Sequence, residues 1–255
     1  MTPASVARAL GFLTRLPVPA RFFGAGQVAL SDDAGSFALA GALIAVPGAV
    51  LLLIGAVFGA PPLMMAGIAV LATIALTGAL HEDGLADTAD GFGGGATGER
   101  RMDIMRDSAI GTYGVLAVIA SVLLQVTALG ALAETGVIKA AFAFVAAHTA
   151  SRAAMVWHWS KTPPARTDGV AAASGQPPTT AVNAVLVGAG IVLALAAILA
   201  TGVVVTALAA VAVSAATAGF SRLSGRLIGG HTGDTIGATE QIARSVMLVG
   251  LAMAA

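Results

Sequence analysis

No cysteine occurs anywhere in the chain, which excludes disulfides and thiolate-held metals. Charge is nearly as scarce: 13 basic and 13 acidic side chains cancel over 255 residues. With zero net charge and no lysine- or arginine-rich run, nothing argues for nucleic acid as a partner. Uninterrupted apolar sequence fills the space. Hydrophobic residues make up 57% of the chain and the mean hydropathy is +0.91, outside the range of soluble domains.

Three blocks, 34–80, 109–133 and 169–221, contain no Asp, Glu, Lys or Arg. One crossing of a bilayer takes roughly 20 apolar residues. The first and third blocks, 47 and 53 residues long, therefore hold two crossings each, broken at Gly59-Ala60-Pro61-Pro62 and at Thr201-Gly202. The expected helices are 37–58, 62–80, 109–132, 137–157, 181–200 and 203–220, with the shorter apolar stretch 242–255 left open. The predicted fold is all-α, a polytopic membrane helix bundle of about six to seven transmembrane helices. It forms one catalytic domain over 1–255 embedded in the lipid bilayer.

Residues 1–33 are expected to form an N-terminal interfacial segment, whose first 23 residues fail as a cleaved signal peptide because Arg8, Arg15, Pro17 and Pro19 interrupt them. Val6, Leu10, Leu13 and Leu16 fall near one helical face, predicting an interfacial helix. With the N-terminus inside, those six crossings put 12 of the 13 basic residues on the inner side, Lys139 being the exception. The polar segments then face the cytoplasm from the plasma (inner) membrane. Trp157 and Trp159 read as an interfacial aromatic belt.

Seven of the 13 acidic residues lie between 81 and 107, in the acidic cytoplasmic loop 81–108. If 81–90 continues the preceding helix, Asp83, Asp87 and Asp90 stand at i, i+4 and i+7 and share one face. Beyond Gly93-Gly94-Gly95, Glu99, Asp103 and Asp107 repeat at i, i+4 and i+8. Converging carboxylates repel and stay ionised only with a cation between them, and hard oxygen donors suit Mg²⁺ or Mn²⁺. Mg²⁺ is usually bound through few carboxylates, with waters and substrate phosphates completing its shell, so the cluster predicts a phosphate or pyrophosphate substrate. Glu82 points about 100° away from the face and is expected to tolerate Gln.

Basic groups supply the other half of a phosphate site: Arg106 beside Asp107, and Arg152 and Arg166 flanking AMVWHWSKTPPARTDG. The later stretch GGHTGDTIGATE is expected to complete the same site, with Asp234 as a ligand or orienting group and Gly233 allowing close backbone approach.

The stretches TRLPVP (14–19), HEDGLADTADG (81–91), RRMDIMRDSAIGTYG (100–114), ASR (150–152), ARTDGV (165–170) and GGHTGDTIGATE (229–240) resemble, in this order, the cobalamin synthase family of adenosylcobinamide-GDP ribazoletransferases. The resemblance implies an Mg²⁺-dependent membrane transferase. It would join adenosylcobinamide-GDP to α-ribazole, or its 5′-phosphate, with attack of the ribose 5′-hydroxyl on the pyrophosphate and release of GMP. Taken with the residue pattern, it makes Asp83, Asp87, Asp90, Asp103, Asp107 and Asp234 the metal set and Asp83, Asp107 and Arg106 the catalytic set. Arg152, Arg166, His231, Thr232 and Gly233 become the substrate-binding set. Asp83 and Asp107 are both open as the base that takes the hydroxyl proton. Two other readings are a CDP-alcohol phosphotransferase, on the Asp87/Asp90 and Asp103/Asp107 spacing, and an ion-coupled transporter. Homo-oligomerisation is left open.

Overall fold

The computed structural model describes residues 1–23, 28–169 and 173–253. Val170, which closes ARTDGV, and Ala254 and Ala255 of the last apolar stretch lie outside the described residues. Helix α1 (Pro3–Leu13) precedes a short α2 (Leu30–Asp33), which leads through a 3-10 turn into α3 (Phe37–Val57). There follow α4 (Pro62–Thr77), α5 (Leu80–Gly94), α6 (Gly98–Ile104), α7 (Thr112–Thr135) and α8 (Val137–Lys161). The chain ends in α9 (Thr179–Ala196), α10 (Val203–Ile228) and α11 (Gly233–Ala252). Among the described residues the β contact is one isolated bridge, Pro164 with His231. The fold is the expected all-α bundle.

Among the described residues four helices are long and apolar enough to cross a membrane: 30–57, 112–135, 179–201 and 203–228. α4 and α5 make a bent pair that brings the number to five at most. Large apolar side chains stand exposed at helical spacing along these spans, as with Leu116, Ile119 and Leu123 on α7 and Val187, Ile191 and Leu195 on α9. Such an apolar outer face suits lipid. The expected count of six to seven rests on α8 and α11 as well, and neither is among the apolar candidates. α8, at 25 residues, is roughly 38 Å long, enough for the bilayer's ~30 Å core. It is lined by protein on nearly every side, from Ala140 to Trp159. A helix packed inside a bundle need not be uniformly apolar. α11 begins at Gly233, so GDTIGATE is helical and the apolar tail is its second half.

The interior has an apolar layer in which Leu129, Leu132, Phe144, Met247, Leu248 and Leu251 interlock. Where helices already sit in lipid, close van der Waals fit rather than removal of water holds such a layer together. α1 lies on the bundle through Ala9 and Leu13, part of a second cluster with Phe37 and Trp159. Arg8 grips Asp33 with two hydrogen bonds of 2.7 Å and donates to the Phe22 carbonyl. Arg8 is therefore a structural tie between the N-terminal segment and α2.

The second expected crossing does not run on to residue 80. Gly78 and Ala79 both adopt left-handed conformations, with φ of 64° and 57°, and α5 leaves α4 at 88°. Glycine takes that conformation freely, whereas Ala79 carries a small steric cost. The bend swings α5 across the end of the bundle, away from the apolar direction of α4.

Candidate active site

Loops and helix ends meet at this end of the bundle. The Arg101 guanidinium donates to the Leu227 carbonyl at 3.2 Å, and Arg166 donates to that of Met102 at 3.1 Å. The His231 main chain bonds to both neighbours of Pro164 across the bridge: Ala165 N–H donates to His231 O and His231 N–H donates to Pro163 O, both at 2.8 Å. The three charged segments read from the sequence therefore share one side.

α5 and α11 form the floor. A Cβ built on Gly84 would stand 2.8 Å from the Asp234 carbonyl oxygen and 3.3 Å from the Gly237 Cα, so the two backbones touch where only glycine fits. This brings Asp234, in the first turn of α11, beside Asp83 and Asp87 on α5. Thr232 caps α11 by accepting from the Thr235 amide, and its hydroxyl donates to Asp234 at 3.1 Å. Arg166 lies 3.9 Å from Asp234. A cavity of about 300 Å³ opens above this floor, with Asp83, Arg166, Asp168, His231, Thr232 and Asp234 among its walls.

Partial burial, followed by the fields of Asp83, Asp234 and Asp90, pushes the Asp87 carboxyl up to about 7, against only a modest opposing effect of Arg166. Burial likewise pushes the Asp234 carboxyl up, with Arg166 and the Thr232 hydroxyl opposing. Three carboxylates thus face one guanidinium and are short of positive charge. That imbalance and the hard oxygen donors fit a divalent cation. Asp83, Asp87 and Asp234 are the residues that could hold it. Among the described residues no three His, Asp or Glu side chains already stand in ligating geometry. Waters and a substrate's phosphates would have to complete any such shell.

Other expected site residues lie elsewhere. Asp90 is buried and accepts from the Gly111 amide at 2.7 Å and the Gly114 amide at 2.9 Å. It spends both carboxylate oxygens on the N-terminus of α7, a helix-capping arrangement. α6 stops at Ile104, so the i, i+4, i+8 stripe breaks before Asp107. Asp103 and Asp107 are exposed, Asp107 accepts from the Ala109 amide at 3.0 Å, and neither is among the charges acting on Asp87. Arg106 is exposed too, held 2.9 Å from Asp168 at the cavity rim. His231 and Thr232 do reach the wall, and Gly233 leaves open space beside it. Burial lowers the His231 pKa. Its Nδ1–H donates to the Thr162 carbonyl at 2.9 Å, which leaves Nε2 a bare acceptor.

Arg152, expected to bind substrate, does not line this cavity. It is fully buried on α8 and pairs with Glu240 on α11, which also accepts from Ser151 at 2.8 Å and Gln241 at 3.1 Å. Arg244 donates to Glu82 at 2.8 Å and lies 3.7 Å from Glu240; Gln241 donates to Glu82 at 2.7 Å. Gln241 accepts in turn from Ser121 and Gln125 on α7. His148 donates to the Phe144 carbonyl through Nδ1 and accepts from Arg244 at 3.3 Å. Two cations and two anions cancel inside the bundle, and together they tie α5 to α8 and α11. Sequence reasoning missed this quartet. Its visible signal was Glu240 and Arg244 at i, i+4 in an otherwise apolar helix. Trp159, expected in an interfacial belt, is 2% exposed and part of the cavity wall.

Fold and site define a polytopic helical membrane protein with an acidic cleft, suited to phosphate-bearing substrates, at one end of its bundle. Residues 5–252 match the family described as cobalamin-5-phosphate synthase, and the chain belongs to that family. It is 48% identical to an adenosylcobinamide-GDP ribazoletransferase of Sinorhizobium medicae, over 98% of this chain and 96% of the relative. It is 46% identical to one of Rhizobium meliloti over the same shares, and 46% to one of Azorhizobium caulinodans over 97% and 95%. No solved structure matches significantly.

Proposed function

We propose that the chain transfers the cobinamide phosphate of adenosylcobinamide-GDP to a ribose hydroxyl of α-ribazole or its 5′-phosphate, with release of GMP. The observation that carries this reading is the shortage of positive charge around Asp83, Asp87 and Asp234 in a chain similar throughout to ribazoletransferases. An oxygen–phosphorus bond forms at the phosphorus that bears cobinamide, the bond to the bridging oxygen breaks, and GMP leaves with that oxygen. A product that is a 5-phosphate, as the family's description states, has its 5′ oxygen already esterified. The attacking group is then a secondary ribose hydroxyl, and the expected 5′-hydroxyl is set aside.

Asp83 is on the cavity wall and takes the hydroxyl proton, whereas Asp107 lies off it. Arg166 is the guanidinium placed to meet phosphate oxygens and hold the leaving group. Asp87 and Asp234 would hold Mg²⁺, which supplies charge neutralisation on the pyrophosphate, and Asp83 is then left free as the base.

The bundle sits in the plasma membrane with this end toward the cytoplasm. Once Arg152 and Arg244 are set aside as internal, 10 of the remaining 11 basic residues belong to segments at or near the cavity end, Lys139 again excepted. The test is to incubate purified protein with Mg²⁺, adenosylcobinamide-GDP and α-ribazole or its 5′-phosphate and to measure GMP. GMP should appear only with donor and acceptor together. Turnover of a CDP-activated lipid in its place would overturn the reading.

A further inference from the structure

The cavity has a second half that the carboxylates and Arg166 do not explain. Its wall also carries an apolar set: Phe12, Leu30, Phe37, Met155, Trp159 and Ile236. Phe12 and Phe37 stack with ring centroids 6.4 Å apart, and Phe37, Met155 and Trp159 are buried. Among the described residues the Trp159 indole N–H has no acceptor, and it has no contact with bulk water. A buried donor without a partner is costly, and such groups in native proteins call for an explanation.

We infer that this apolar half is the subsite for the acceptor's base, with Trp159 as the residue that recognises it. The inference rests on the proposed function. At about 300 Å³ the cavity is at the low end of small-molecule pockets, which run to ~1,000 Å³. That suits a nucleoside and is far too small for a corrinoid. Of the two substrates only the acceptor is nucleoside-sized, and its base is a dimethylbenzimidazole: two fused planar rings, two methyl groups and one ring nitrogen free to accept. Aromatic and aliphatic walls match the rings and methyl groups, and the indole N–H matches the bare nitrogen. With the base against that set, the ribose hydroxyls extend toward Asp83 and Asp234, which line the same cavity. The large donor then approaches from the open mouth, bringing its pyrophosphate to Arg166. A nucleoside with a polar purine base would bring donors and acceptors that this wall leaves unpaired, so the subsite also rejects the nucleosides abundant in any cell.

The experiment measures GMP release while acceptor and donor are varied separately. Trp159→Phe keeps the ring and removes the N–H. It should raise the KM for α-ribazole about fivefold, the effect of one lost hydrogen bond, with kcat and the KM for adenosylcobinamide-GDP within twofold of wild type. A merely structural loss would move both KM values or kcat. In the wild type, replacing the base of the acceptor by adenine should raise its KM at least tenfold; this comparison decides the matter if Trp159→Phe does not fold. A shift in donor KM alone, or equal KM for α-ribazole and the adenine nucleoside, would overturn the subsite while GMP release still upheld the function. Absence of GMP release from the wild type would instead sink the functional reading. In that case the Trp159 fluorescence of a Trp157→Phe protein is titrated with α-ribazole alone, and only quenching stronger than that by the adenine nucleoside keeps the subsite.

Discussion

Glu82 gives the sharpest contrast between a helical wheel and the folded protein. By angle it points away from the acidic face and should tolerate Gln. In the bundle it is buried, and its Oε1 accepts from Arg244 at 2.8 Å and Gln241 at 2.7 Å. Glu82→Gln keeps size and an acceptor but removes the charge. Arg244 and Arg152 would then share Glu240 alone, and one positive charge inside the bundle would be uncompensated. Outright removal of one partner of a buried pair costs about 3–5 kcal/mol. The retained amide oxygen recovers part of that, so Glu82→Gln should destabilise by about 2–3 kcal/mol.

The assay is unfolding of the detergent-solubilised protein, by heat and by denaturant. At ~2–4 °C per kcal/mol for a chain of this size, the midpoint should fall by roughly 4–12 °C. The double variant Glu82→Gln with Arg244→Gln removes both charges and should recover at least ~1 kcal/mol relative to the sum of the single changes. A Glu82→Gln protein within ~0.5 kcal/mol of wild type, or strict additivity in the double variant, would refute the quartet as a brace and restore the expectation from the helical wheel.

Asp87→Asn should abolish Mg²⁺-dependent turnover without loss of stability, because it removes a carboxylate held in a field of like charges. Asp90→Asn should lower stability by about 1–2 kcal/mol through loss of the cap on α7; equal melting temperatures for the two variants would contradict this division. The Asp87 carboxyl is raised from 3.8 to about 7, so the metal-free folded protein binds more protons than the unfolded chain across that window. This group's contribution to metal-free stability should therefore fall as pH rises from about 4 to 7. Mg²⁺ binding, measured calorimetrically, should release a proton and weaken as pH drops below 7, and in Asp87→Asn that proton should vanish. Gly84→Ala would drive a methyl into the Asp234 backbone and separate α5 from α11; a cost of about 1–3 kcal/mol and lost turnover are expected, and an active, stable Gly84→Ala would refute the close approach. Single cysteines at the exposed Ala96, Thr167 and Arg222 should react with an impermeant reagent from the cytoplasmic side alone, and one at Glu134 from the outside alone.

The helices were legible because absence of charge over a bilayer's thickness is a one-dimensional signal. So was the acidic face of α5, since a local period of 3.6 holds whichever way the helix points. Its direction was hidden: the bend depends on Ala79 following Gly78 into the left-handed region, and alanine gives no hint of that. The division of labour among the acids was hidden for another reason. Asp83, Asp87 and Asp90 are equivalent by spacing, and what separates them is the distant Gly111 and Gly114 amides and the N-terminus of α11. Arg152 and Arg244 misled because positional counting treats every cation as a loop or membrane-edge group. Only a partner across the bundle, Glu240 or Glu82, reveals a charge that never meets solvent.

The arrangement also answers why so acidic a helix stays folded against a second acidic group. Asp83, Asp87 and Asp234 repel one another, which tends to part α5 from α11 whenever no cation lies between them. One residue from Asp83, Glu82 fastens α5 to Arg244 and Gln241 of α11, and Gly84 lets the same two backbones meet. Attachment and repulsion are built into a single turn of helix, on different faces. The carboxylates are thus held at one position before substrate arrives, so little reorganisation is left for the moment of reaction. Weakening the brace should consequently lower Mg²⁺ affinity even though no ligand is changed. For Glu82→Gln, Mg²⁺ affinity measured below its melting transition should fall severalfold; affinity equal to wild type in the folded variant would show that the carboxylates are positioned without it.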